Sequence, residues 1–229
     1  MTDATDTPKV TTVRLLLSLF VMVALGLAVY RFWGGLGAVT NLSDSYPWGL
    51  WIGFDTMCGE ALAAGGFVMA GAVYLFGLKK YRAFVRPAIV TAFLGYVLGV
   101  MGVILDLGRP WAIWHPLVYW QPLSIMFGVG WLVTLYTTVL FFEFLPIVFE
   151  RFNLTRPLKF MRKIMIFLII AAVIISTMHQ SLLGSLFVMM KHRLHPLWHT
   201  PMIPLLFLVS AVAVGVAMVI MESVIAGLI

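Results

Sequence analysis

The chain has 229 residues, of which 62% are hydrophobic and only 10% charged, with a formal net charge of +6. Soluble domains carry about 25% charged residues, so a water-soluble sphere of this size has no way to hide its apolar surface, whereas lipid solvates it directly. Lys and Arg fall between apolar runs and form no basic stripe, which excludes a nucleic-acid reader; one cysteine, Cys58, excludes an internal disulfide, a CxxC pair or an iron–sulfur ligand set.

Met1 to Val13 is polar, and no small-residue cleavage site precedes Arg31, so the first helix is expected to stay rather than leave as a signal peptide. Six apolar runs follow, near 14–33, 48–76, 88–107, 123–149, 160–187 and 202–227. Each is long enough to cross a core of about 30 Å, which takes roughly 20 helical residues. The period-two alternation of a membrane barrel is missing. The expected fold is all-α: one integral-membrane domain over residues 1–229, a polytopic transmembrane bundle of about six helices. The chain stops at Gly227-Leu228-Ile229 without a charged anchor, as expected for the N-terminal part of a longer chain. Cys58 lies inside an apolar run and is expected to be a small core residue.

Lys9, Arg14, Lys79, Lys80, Arg82, Arg86, Arg151, Arg156, Lys159, Arg162 and Lys163 fall on one side of this topology, and Arg31, Arg109, Lys191 and Arg193 on the other. The positive-inside rule puts the richer side, and with it the N-terminus, in the cytoplasm. Trp33, Tyr46, Trp48, Trp51, Trp111, Trp114, Tyr119, Trp120 and Trp198 gather at the opposite face, as an interfacial aromatic belt does.

Ionisable groups in the runs carry the functional signal, because a carboxylate at mid-bilayer costs at least about 2.5 kcal/mol. Asp55 is expected about 10 Å in from the outer face and Glu60 near mid-membrane. On an α-helix they diverge by roughly 140°, so each needs a partner on a different neighbour. Asp106 ends the third run, followed by Arg109: either a local ion pair or an acid and a fixed positive charge at a pocket mouth. His179, followed by Gln180, falls in the outer third of the fifth run; it is either an interhelical hydrogen-bonding contact or a proton-exchanging group. Glu143 and Glu222 fall near the inner ends of their helices and read as interfacial or capping carboxylates. Asp55, Asp106 and His179 share a depth, which points to one outer pocket. Gly95, Gly99 and Gly102 on the third run, and Gly59, Gly65, Gly66 and Gly71 on the second, mark close helix packing.

A bis-histidine haem needs two facing intramembrane histidines, and only His179 lies in a helix core. His195 and His199 are separated by Pro196, which breaks the register a metal pair would use. Redox chemistry therefore calls for a diffusible cofactor such as a quinone, with metal centres on another chain.

Tyr46-Pro-Trp-Gly-Leu-Trp-Ile-Gly-Phe-Asp55, Leu105-Asp-Leu-Gly-Arg109-Pro-Trp111, Thr177-Met-His-Gln-Ser181 with Gly184-Ser-Leu186, and His195-Pro-Leu-Trp198 resemble the NrfD/PsrC-like membrane subunits, in particular those of hydrogenase-2-type nickel–iron hydrogenases and Hmc-type complexes. The resemblance runs from about residue 31 to the end. It implies a haem-free subunit of the bacterial inner membrane that binds menaquinone or ubiquinone near the outer face. The implied partners are a periplasmic ferredoxin-like iron–sulfur subunit and a hydrogenase-type catalytic subunit.

On that basis His179, Asp106 and Arg109 are the expected catalytic residues. Asp55, Trp48 and Gln180 would hold the quinone, and Glu60, Glu143 and Glu222 would form a proton path. Two departures stand out: relatives have eight to ten helices, and many carry a Glu in the fourth helix where this chain reads Met126-Phe-Gly-Val-Gly-Trp131. The rival readings are a proton, ion or solute transporter and a passive anchor for an enzyme complex.

Overall fold

The computed structural model describes residues 8–43, 45, 53–190, 194–225 and 227, without the side chains of 8–11, 55 and 56. The described residues are helical nearly throughout. α1 is Pro8–Gly34. α2 is composite: a π-helical segment Gly53–Gly59, then Glu60–Ala63 and Gly65–Tyr74. α3 is Arg82–Asp106, α4 Ile125–Arg151, α5 Thr155–Met189 and α6 Ile203–Ile225. Five described spans are long and apolar enough to cross a membrane: Thr12–Gly34, Met57–Tyr74, Lys79–Asp106, Ile125–Arg151 and Ile203–Ile225. The fifth apolar run of the sequence, 160–187, lies within α5. At 35 residues that helix is about 50 Å long and overshoots a bilayer core.

The helices alternate in direction. Arg86 near the start of α3 and Arg162 near the start of α5 both pair with Glu150 at the end of α4, at 2.7 and 2.9 Å. The Thr91 hydroxyl on α3 donates to Glu222 near the end of α6. These contacts define one end of the bundle, rich in basic residues. The opposite end holds the close of α1, α3 and α5 and the start of α4 and α6. Exposed Trp33, Trp111, Trp114, Tyr119, Trp120 and Trp198 crowd that far end, where the belt was expected; Tyr46, Trp48 and Trp51 lie outside the described residues.

Small residues draw the central helices together. A Cβ on Gly65 would fall 2.7 Å from the Val219 side chain and 2.9 Å from the Gly215 carbonyl carbon, so α2 and α6 touch backbone to backbone. A Cβ on Gly95 would fall 2.9 Å from the Ala63 side chain, which joins α3 to α2. With no hydrophobic force between helices in lipid, such close approach and shared hydrogen bonds hold the bundle. α1 stands apart, lipid-exposed along most of its length. At its far end Arg31 donates to the carbonyls of Leu105, at 2.7 Å, and Leu107, two acceptors at the end of α3.

Candidate functional site

The site starts from an irregularity in α2. At Ala64 the backbone N–H turns to Ala61 O, at 3.1 Å, three residues back rather than four. That tightened turn leaves the Glu60 carbonyl without its helical donor. The Gln180 side chain on α5 fills the gap, donating to Glu60 O at 3.1 Å and to the Tyr96 hydroxyl at 3.3 Å. Tyr96, on α3, lies 3.0 Å from His179 Nδ1. The other ring nitrogen, Nε2, lies 3.3 Å from the Glu60 carboxylate, with the two side chains 0% and 1% exposed. Three helices thus join one carboxylate, one imidazole, one phenol and one amide in the interior.

The polar line continues toward the basic end. The Tyr96 ring meets Tyr136 of α4 edge-on, with centroids 4.6 Å apart. Ser176, one turn before His179 on α5, lies against both phenols. Glu143, two turns beyond Tyr136 on the same face of α4, is 2% exposed. Several buried atoms on this line have no hydrogen-bond partner: Glu60 Oε2, His179 Nε2, Gln180 Oε1, Ser176 Oγ, Tyr136 Oη and Glu143 Oε1. A buried polar atom left unpaired costs about 1–3 kcal/mol. A row of them is an arrangement that water or a moving proton relieves.

Chemically, Glu60 and His179 lie 3.3 Å apart without forming a hydrogen bond, so they can act as a two-state group once water or a small shift links them. One proton held on the carboxyl gives a neutral pair, and the same proton on the imidazole gives an ion pair. The Tyr96 hydroxyl on Nδ1 lets a proton enter or leave the ring on the side away from Glu60.

The expected outer pocket is not formed as the sequence suggested. His179 lies at the depth of Glu60 and Tyr96, near the middle of the bundle, whereas Asp106 lies ten residues beyond Tyr96, about 15 Å along α3. The two are therefore not neighbours. Counting from Lys163 placed His179 too far out, because α5 continues to Met189, ten residues past it. Asp106 is half-buried and Arg109 exposed, both at the far end. The backbone of Asp55 lies in the π-helical segment, where residues five apart are one turn apart; the divergence from Glu60 expected for an α-helix does not hold there. Trp48 lies outside the described residues. Glu143 is buried rather than interfacial, and Glu222 is half-buried on Thr91. Cys58 is exposed, not a core residue. His195 Nδ1 accepts from Leu197 N at 3.4 Å, capping a turn.

Sequence reasoning passed over Tyr96, Tyr136 and Ser176. A signal existed: tyrosine in membrane helices belongs at the interface, and Tyr96 and Tyr136 each sit more than two turns from either end of their helices.

The family model described as "Polysulphide reductase, NrfD" matches residues 38–228. The chain belongs to the NrfD family. A Nitratidesulfovibrio vulgaris protein is 46% identical over 211 residues, covering 92% of this chain and 54% of the relative. The probable Ni/Fe-hydrogenase 2 b-type cytochrome subunit of Escherichia coli is 36% identical over 206 residues, 89% of this chain and 53% of the relative. The integral membrane subunit of menaquinone reductase from Nitratidesulfovibrio vulgaris is 32% identical over 139 residues, 60% of this chain and 33% of the relative. The chain spans about half the length of the first two. No solved structure matches it. Every member of the polar line lies inside the NrfD match, whereas α1 falls before it. NrfD proteins are integral membrane proteins, and two of these relatives are subunits of redox enzymes, a probable hydrogenase and a menaquinone reductase.

Proposed function

We propose that this NrfD protein is the haem-free, quinone-reactive subunit of a respiratory oxidoreductase complex of the bacterial inner membrane, with its basic end in the cytoplasm. Electrons pass between a periplasmic ferredoxin-like iron–sulfur partner, itself fed by a hydrogenase-type catalytic subunit, and menaquinone or ubiquinone. Reducing one quinone to quinol takes two electrons from the partner and two protons from the protein or the adjoining water.

The head group comes to the far end, where Asp106 hydrogen-bonds it, Arg109 steadies its negative charge, and Asp55 and Trp48 help to hold it. His179 and Gln180 act one step back, in the group that supplies or removes protons, and Glu60, Glu143 and Glu222 extend that supply. The similarity to a menaquinone reductase membrane subunit supports this reading. The observation that carries it is the Glu60–His179 contact at 3.3 Å in an interior closed to water and lipid. A passive anchor has no use for so costly a pair.

The test is Glu60→Gln in the assembled complex. It keeps shape and hydrogen bonding but removes the titrating carboxyl. Quinone-linked turnover should fall roughly a hundredfold, while reduction of a water-soluble dye at the catalytic subunit stays at the wild-type rate. Wild-type quinone turnover in a fully assembled variant would overturn the proposal.

A further inference from the structure

The polar line through the bundle is one-sided. Among the described residues of α4 and α5, the buried polar side chains are Glu143, Ser176, His179 and Gln180. Outward of Gln180, the seam between the two helices is apolar, closed by Val129, Leu183 and Leu186. Toward the basic end the seam stays polar. Ser176 Oγ lies against the Tyr96 and Tyr136 phenols, yet neither it nor Tyr136 Oη has a hydrogen-bond partner. Glu143 Oε1, two turns nearer the basic end, is buried and unpaired in the same way. Glu150, held by Arg86 and Arg162 at that end, is about 10 Å further along α4.

We propose that Ser176 and Tyr136 relay protons from the basic end to the Glu60–His179 pair, through water held on their hydroxyls, with Glu143 as the first acceptor. The inference rests on the quinone reaction proposed above and adds the two relay residues and the side from which the protons come. Two observations carry it. The unpaired buried oxygens of Ser176, Tyr136 and Glu143 all lie between the pair and the basic end. And the α4–α5 seam on the other side of the pair offers a proton nothing but hydrocarbon.

A hydroxyl both donates and accepts, so it can take a proton on one side and release one on the other. A buried water needs two to four polar partners; Ser176 Oγ, Tyr136 Oη and Gln180 Oε1, one turn from Ser176, each have a bond to offer. From Tyr136 to Glu143 is about 10 Å along α4, a step for about three waters at hydrogen-bond spacing, walled by Leu140 and Ala172. At the pair, the Tyr96 hydroxyl stands 3.0 Å from His179 Nδ1 and completes the route. The outward step then lies with α2, whose backbone runs from Glu60 back through the π-helical segment to Asp55. No covalent bond between heavy atoms changes along the way. The electrons come from the iron–sulfur partner at the far end and the two protons from the opposite face, so reducing a quinone separates charge across the membrane.

The test uses the assembled complex in proteoliposomes, oriented with the basic end facing a lumen that holds a pH-sensitive dye. Quinone reduction by the wild-type complex should make the lumen alkaline by two protons per quinone. Ser176→Ala, and separately Tyr136→Phe, should slow that uptake and quinone turnover together by about tenfold or more. Neither change breaks a hydrogen bond within the protein, so Tm should hold or rise, which separates a relay from a structural role. Cryo-electron microscopy of the wild-type complex should show water on Ser176 Oγ, lost in Ser176→Ala. A lumen whose pH holds steady while quinone is reduced overturns the proposal, as do wild-type rates in both variants or a dry Ser176. A wild-type complex that reduces no quinone defeats the quinone reading instead, and the density at Ser176 then decides the water line by itself.

Discussion

α1 and α2 both carry spans long enough to cross a bilayer, yet α1 has the higher mean hydropathy and buries none of its most apolar stretch, while the less apolar α2 buries more than half of its own. In water that order would be reversed. In lipid, apolar side chains gain nothing by leaving the bilayer, so helices are drawn inward by small residues and by polar groups that need partners. α2 brings Gly65, Gly66 and Glu60; α1 brings Arg31, which draws in only its far end. Burial in this bundle follows the exceptions to apolarity.

The strongest way to break that comparison is to add bulk at matched glycines. A Cβ on Gly215 would lie 2.8 Å from the Ala64 carbonyl carbon and 2.9 Å from Gly65 Cα, backbone atoms with no room to yield. Gly215→Leu should therefore destabilise the bundle by about 3 kcal/mol, read as a fall in Tm of the detergent-solubilised protein. Gly26→Leu on α1 meets nothing within 4 Å and should leave Tm where it is. Equal losses would mean that α1 is packed in the complex as tightly as α2.

Tyr96→Phe sharpens the comparison inside the buried side. The ring still packs on Tyr136, but His179 Nδ1 and Gln180 Nε2 each lose a partner. The stability loss should be about 1–2 kcal/mol. Quinone-linked turnover should fall at least about tenfold, against an unaltered dye-reduction rate. A stability loss without a turnover loss would leave Tyr96 as a purely structural hydrogen bond.

The bundle was legible in the sequence because hydropathy and the placement of Lys and Arg are local properties. Glu60 was legible as a group in need of a partner from another helix, and it found His179. Which partner was not legible, since depth counted along α5 depended on where that helix stops. A helix overshooting by a turn moves every residue on it by about 5 Å. The π-helical segment was invisible for a related reason: the register of Asp55 against Glu60 assumed i to i+4 bonding. Tyr96 and Tyr136 hid among aromatics that read as ordinary apolar filling, although their distance from the interface was in plain view.

The smallest expected effect belongs to Arg31, and it tests the other half of the comparison. Its guanidinium satisfies two carbonyls at the close of α3, where acceptors lack helical donors and the helix dipole favours a positive charge. Arg31→Ala removes that tie and should lower Tm by the equivalent of about 1 kcal/mol, hard to distinguish from a surface change. The geometry should respond more than the stability, because Arg31 holds the far end of α1 to two carbonyls at the close of α3. Spin labels at Leu17 and Leu98, both exposed, should give a narrow distance distribution in the wild-type protein, a broad one in Arg31→Ala, and an intermediate one in Arg31→Lys, whose single ammonium reaches one carbonyl at a time. A distribution that stays narrow in Arg31→Ala would show that α1 is held by contacts along its apolar length. The rule drawn from α2, that polar and small residues alone decide what lies inside, would then fail for this chain.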